Sequence, residues 1–223
     1  MLINNSNIED FNCKVLKFEP SPTNFTASGG FWTSSLLPIR NIYSETYRSL
    51  NITFLYTLNR EDTLKQSSIL IETIKQSTIF YKNLFYDIEL IDNIELIRKN
   101  SHTYILELKF NILNVYEKEK SITTTSNTTI NINSPKECYA NLEITSSNTS
   151  IISCNININN DVITVKNIKQ NETIYIGSGK VLANGKSKIN DVDLLEFPRL
   201  KPGINNISIN QNINLTIKYN ERW

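Results

Sequence analysis

The residues that could carry out chemistry are few and far apart. His102 is the one histidine. It stands in a turn-like segment before an alternating stretch, where the local sequence suggests no Ser or Cys nucleophile, and one imidazole makes no histidine metal site. The tightest acidic group is Asp191, Asp193 and Glu196. Paired carboxylates serve as acid and base in glycoside hydrolysis, but residues i and i+2 of a strand share a face only against repulsion, so the group reads as solvated. Gly185-Lys186-Ser187, with Gly179 upstream, has the ending of a phosphate-binding loop. Five residues separate those glycines where four are needed, and no helix-forming run follows, so the match is spurious. Cys13, Cys138 and Cys154 are odd in number and widely spaced, which fits free thiols rather than a disulfide framework or a C-x-x-C zinc site. No catalytic residue, metal ligand or cofactor site is expected.

Composition says what kind of scaffold holds these residues. A chain of 223 residues buries about 70% of its unfolded surface, enough for one large or two small domains without staples. Its 23 basic and 22 acidic residues leave a net charge of +1, which excludes nucleic-acid binding driven by bulk charge. Ten tyrosines lack the basic interleaving of a base-stacking array. The bias is elsewhere: 32 Asn and 33 Ile against 3 Ala and 1 Met. Disorder requires few β-branched and aromatic residues, so the bias reads as A/T-rich codon usage in an ordered protein. Ile favours strands, and Asn favours turns and tolerates positive φ. No basic-then-apolar leader occupies Met1–Asp10 and no apolar run reaches 18 residues, so neither a signal peptide nor a membrane span is expected.

Periodicity orders the elements. Residues 19–38 hold Pro20, Pro22, Gly29, Gly30 and Pro38 and read as a long loop, in which Phe31 and Trp32 are candidate partner contacts. Leu50, Ile52, Phe54 and Tyr56 alternate as a strand. Asn59 and Asp62 are N-cap candidates for a helix near 62–76, with Leu64, Ile71 and Ile74 on one face. Strands are expected at 79–81, 85–91, 94–98 and 104–116, the last with Tyr104, Leu106, Leu108, Phe110 and Ile112 on its buried side. The Ser/Thr/Asn-rich stretch 121–135 reads as a linker between a first domain, 1–120, and a second, 136–223. Beyond it, some seven short strands with tight turns at Asn159-Asn160-Asp161 and Asn184-Gly185 indicate an antiparallel sandwich.

One segment is more specific: Phe197-Pro198-Arg199-Leu200-Lys201-Pro202-Gly203-Ile204-Asn205-Asn206-Ile207. Pro202 and Gly203 suit positions i+1 and i+2 of a type II turn. The pattern F-P-x-L-x-P-G-x-N-x-I, with the Asn184-Gly185 hairpin before it, resembles the closing motif of the galectin-like domain of phage distal tail proteins. Phe197, Pro198, Leu200, Pro202, Gly203 and Asn205 are its structural residues. The order of elements is similar throughout, although the specific motif spans only residues 180–209, and no carbohydrate-binding insertion is present.

The resemblance implies a mainly β fold, with a β-rich ring-forming domain carrying one α-helix followed by a galectin-like sandwich. It implies a structural virion protein with no enzymatic activity and no cofactor. Such a protein would be made in the host cytoplasm and sit at the phage tail tip as a homo-hexamer. Its partners would be the tail tube protein, the tail hub or tail-associated lysin, and a receptor-binding protein, with no membrane and no nucleic acid sequence recognised. The alternatives are a carbohydrate-binding module for host cell-wall sugars, or a baseplate component of a contractile tail or tail-like bacteriocin.

Overall fold

The computed structural model describes the backbone of residues 1–22, 24–28, 42–46, 48–146 and 149–223, and their side chains except at 24–28, 42–46, 92 and 93. Two compact units result, Met1–Val115 and Tyr116–Trp223. Of the expected loop 19–38, Phe31, Trp32 and the rest of 29–38 lie outside the described residues, whereas Glu19, Pro20 and residues 24–28 are in strands.

The first unit contains β1 (Leu2–Ile3), β2 (Ser6–Asn7), β3 (Cys13–Pro20), β4 (Asn24–Ser28), β5 (Ile42–Thr46), β6 (Arg48–Tyr56), α1 (Arg60–Ile74), β7 (Gln76–Tyr81), β8 (Leu84–Asn100) and β9 (Thr103–Glu117). Seven strands form one sheet in the order β2-β1-β7-β8-β9-β6-β3, and β4 pairs with β5. Strand β6 lies antiparallel to β9 with Leu50 opposite Phe110, Ile52 opposite Leu108 and Phe54 opposite Leu106. All six side chains are at most 2% exposed, so the alternation of both strands builds one apolar face. The two strands expected at 85–91 and 94–98 are one long strand, β8. Asp92-Asn93 between them are turn-favouring types, but the backbone from Ile91 to Ile94 continues extended.

Helix α1 starts two residues earlier than expected. Its cap is Asn59, whose side chain accepts from the Asp62 N–H at 2.8 Å. The buried face also differs by one position: Thr63, Ser67, Leu70 and Ile74 are buried, whereas Leu64 is 47% exposed. A stripe at i, i+4, i+7 and i+11 runs through the two small hydroxylated residues. Thr63 and Ser67 donate to the carbonyls of Asn59 and Leu64, which satisfies both hydroxyls within the helix itself.

The second unit contains β10 (Lys120–Thr124), β11 (Thr128–Ile132), β12 (Cys138–Thr145), β13 (Ile151–Ile158), β14 (Asp161–Ile168), β15 (Thr173–Gly177), β16 (Lys180–Ala183), β17 (Lys186–Ser187), β18 (Val192–Asp193), β19 (Arg199–Leu200), β20 (Gly203–Ile209) and β21 (Asn214–Tyr219). One sheet runs β10-β21-β12-β15-β16-β17, with β19 also on β12; the other runs β11-β20-β13-β14-β18. They enclose one core that includes Leu142, Ile144, Cys154, Ile156, Ile158, Val165 and Ile217. The stretch expected as a linker at 121–135 is therefore two strands of this sandwich. Ile122, Ile130 and Ile132 fall on alternate positions, and Ile130 and Ile132 are each 2% exposed. Threonine runs are β-compatible, and the apolar period of two outweighs their polarity.

Asparagine shapes many of the turns. Eight of the ten non-glycine residues with positive φ among the described residues are Asn. Asn4-Asn5, Lys82-Asn83, Ser178-Gly179 and Asn184-Gly185 each close a two-residue hairpin with positive φ at both positions, the twist that matches antiparallel strands.

Candidate functional site

The segment 195–207 is assembled around a buried amide. Pro202 is exposed, and Gly203 has φ +87, the left-handed value that the third residue of a type II turn needs. Asn205 is 0% exposed. Its Oδ1 accepts from the Lys201 N–H at 2.8 Å and from Asn159 Nδ2 at 2.9 Å. Its Nδ2 donates to the carbonyls of Lys201 at 2.8 Å and Gly203 at 3.0 Å. The side chain thus does for the turn what a neighbouring strand would do, and it fastens the Asn159 hairpin as well. Asn159 also pairs with the Asn206 backbone through both its own N–H and its Oδ1.

Upstream of the turn, Leu200 is fully buried opposite Cys138, and Arg199 lies opposite Tyr139. The Pro198 carbonyl accepts from the Ala140 N–H at 2.9 Å. From Leu142 onward the partner of β12 becomes β15. Strands β19 and β15 therefore share one edge of β12 and part around Asn141. The parting is tight on one side: a Cβ on Gly177 would stand 2.1 Å from Asn141 Oδ1 and 2.9 Å from its Cα. Ser178 Oγ donates to Asn141 Oδ1 at 3.2 Å.

A cleft of about 560 Å³ opens at this split. Its lining combines the apolar Ala140, Phe197 and Pro198 with Ser178, Gly179, Tyr139, Glu196 and Arg199. Tyr139 is 58% exposed. The Arg199 guanidinium lies 5.4 Å from its ring centroid and that of Arg222 5.9 Å. Arg199 also reaches Glu196 at 3.4 Å and Glu137 at 3.8 Å. A smaller hollow of about 140 Å³ adjoins Tyr139 and Arg199 and is lined also by Lys136, Glu137 and Arg222. An exposed ring beside alternating donors and acceptors suits a polyhydroxylated ligand with one apolar face.

Of the motif residues, Phe197 and Pro198 line this cleft, Leu200 and Asn205 sit in the core, and Pro202 and Gly203 form the turn. Sequence reasoning missed Tyr139 and Gly177. Tyr139 was legible as the aromatic at an outward position of an otherwise polar strand face; Gly177 was not, because its role is a contact across the sheet.

The residues first weighed for chemistry do not converge. His102 is exposed in the β8–β9 turn beside Ser101. Asp193 pairs with Lys166, Glu196 with Arg199, and Asp191 accepts from Asn167. Cys13, Cys138 and Cys154 are buried free thiols. Burial pushes Cys13 up to about 11, against a smaller opposing hydrogen bond with Tyr56, and pushes Cys154 up to about 11; neither is a ready nucleophile at neutral pH.

Comparison with known proteins places this architecture. Among solved structures, the Dit protein (gp 19.1) of phage SPP1 superposes with a TM-score of 0.82 at 12% sequence identity, covering 100% of this chain and 98% of that chain. A chain of the phage P2 baseplate in its activated conformation gives a TM-score of 0.48 at 12% identity, covering 93% and 90%. No curated protein sequence matches significantly. Residues 122–223 match the family model described as siphovirus-type tail component, C-terminal domain. Residues 122–223 are thus a siphovirus-type tail component C-terminal domain, and the chain as a whole has the fold of the phage SPP1 Dit protein.

Proposed function

We propose that this chain is the adaptor at the distal end of a phage tail. It closes into a hexameric ring that joins the tail tube to the baseplate or tail tip and the receptor-binding apparatus. Its partners in that role are the five other copies of a homo-hexamer, the tail tube protein, the tail hub or tail-associated lysin, and a receptor-binding protein; its place is the virion, after synthesis in the host cytoplasm. The observation that carries this reading is end-to-end agreement with a protein described as a hub of the adsorption apparatus in phages infecting Gram-positive hosts. A heterologous contact repeated around a closed ring needs two different surfaces on each subunit, and residues 19–38, with Phe31 and Trp32, are our candidate for one of them. Electron microscopy of the purified protein is expected to show six-fold rings. Phe31→Ala with Trp32→Ala is expected to leave folded subunits that form none; a double variant that still forms hexamers overturns that assignment, and a parent protein that forms no rings under any condition overturns the adaptor.

A second reading, a module binding host cell-wall sugars, draws support from the Tyr139 cleft. Titration with wall glycans, followed by Tyr139 fluorescence or chemical shifts, tests it. Binding lost in Tyr139→Ala supports the reading, and no response at millimolar sugar removes it.

A further inference from the structure

Exposed sheet edges invite pairing with other chains, and proteins guard them with charge, proline, bulges or brevity. The three larger sheets of this chain have six such edges among the described residues, and most are guarded. Strands β2, β17 and β18 are two residues long. Strand β3 carries Lys14, Lys17, Glu19 and Pro20, and its register with β6 shifts between Val15 and Lys17. Strand β10 begins with Lys120. Strand β11 has none of these protections: Thr128-Thr129-Ile130-Asn131-Ile132 lies in regular register on β20 with no charge, proline or bulge. From Ser121 to Ser134 the chain has neither a charged residue nor a proline.

We propose that the free edge of β11 pairs with β11 of a second copy of this chain, antiparallel and about a two-fold axis centred on Ile130. The pattern is self-complementary. Opposite residues of an antiparallel pair point to the same face, so a register centred on one residue sets inward side chains opposite inward ones. Centring on Ile130 pairs all five residues. Ile130 then meets its own copy, Thr128 meets Ile132, and the exposed Thr129 meets the exposed Asn131. No charge opposes a like charge, which is what self-pairing requires and what guarded edges forbid. A symmetric contact of this kind is isologous, so it joins two free subunits or two rings and does not depend on the ring reading.

Sedimentation equilibrium on the full chain tests it, with two double variants at exposed positions. Thr129→Lys with Asn131→Lys places like charges opposite each other twice across the axis, and is expected to weaken pairing by about tenfold. Thr129→Lys with Asn131→Glu places opposite charges there and is expected to restore it. Amide exchange at Thr128–Ile132 should slow as wild-type association proceeds. Equal association in all three proteins overturns the proposal, as does a wild type that never doubles or whose β11 amides are protected only by a different tail protein. Six-fold rings persisting in the double-lysine variant would separate this contact from ring closure.

Discussion

Asn205 shows why one residue type closes this motif. A carboxamide supplies one acceptor and two donors on a single short stem, and the site presents an N–H and two carbonyls that must be satisfied away from water. Asn205→Asp keeps the shape but loses both donors and buries a charge facing carbonyl oxygens. It is expected to lower the stability of the sandwich by about 3 kcal/mol or more, measured by urea denaturation at pH 7. Gly177→Ala is a test of a different kind, since its Cβ would collide with the Asn141 backbone and side chain. It should cost about 1–3 kcal/mol and shift the resonances of Ser178 and Gly179 at the cleft wall. The turn at Pro202-Gly203 was legible because a type II turn constrains φ locally, and local constraints leave marks on sequence. The Asn205 bonds to Lys201 and Gly203 are nearly local as well. The Gly177–Asn141 approach joins two strands whose pairing no local signal announces.

At the scale of elements, turns and strands were easier to read than their partners. The Asn184-Gly185 hairpin was expected, whereas Lys82-Asn83 and Ser178-Gly179 were passed over. Lysine and serine are not residues that positive φ usually selects, and the Asn or Gly that follows carries half the turn. Nothing lies within 4 Å of a Cβ on Gly185, whose φ is +80, so Gly185→Ala isolates backbone strain; a loss of about 1–2 kcal/mol in thermal unfolding is expected, while Asn184→Gly should be nearly neutral. A second element-scale device is the ion pair linking the loop before β15 to the segment after β17. Lys188 Nζ lies 2.9 Å from Glu172 and 3.6 Å from Asp191, and Glu172 and Lys188 are each 9% exposed. Burial alone would raise the Glu172 carboxyl; the hydrogen bonds from the Lys169 N–H and the Lys188 ammonium outweigh it, so the group sits below its ordinary 4.5. A depressed carboxylate stabilises the fold above its unfolded value, and that contribution is lost as pH falls through the lower folded value. Stability should therefore decline below about pH 4.5, and Glu172→Gln should flatten that decline while costing about 2–3 kcal/mol at pH 7, since Asp191 still offsets part of the lysine charge.

At the scale of the whole molecule the decisive question is where the second unit begins. Composition placed its start at 136, because a Ser/Thr/Asn run without charge has the look of a linker. The structure places it at Tyr116, and the ties there are specific. The Glu117 N–H donates to the Glu221 carbonyl at 2.9 Å, and Asn220 Nδ2 donates to the Glu117 carbonyl at 2.9 Å. Lys120 bridges Glu117 at 3.0 Å and the 2%-exposed Glu221 at 2.9 Å. Residues 116–120 thus hold the closing segment of the same unit, while β10 and β11 complete one sheet each. Two fragments separate the boundaries. A fragment of residues 116–223 retains every strand of both sheets and is expected to unfold cooperatively, with near-native far-UV circular dichroism. A fragment of residues 136–223 loses Ile130 and Ile132 from the core, at about 2–3 kcal/mol each, and strips the partners from β20 and β21. Those losses approach the whole stability of a small domain, and the newly bared edges of β20 and β21 favour aggregation. The shorter fragment is therefore expected to be unfolded or insoluble; if it proved as stable as the longer one, β10 and β11 would be appendages, and the domain would begin where composition alone had put it.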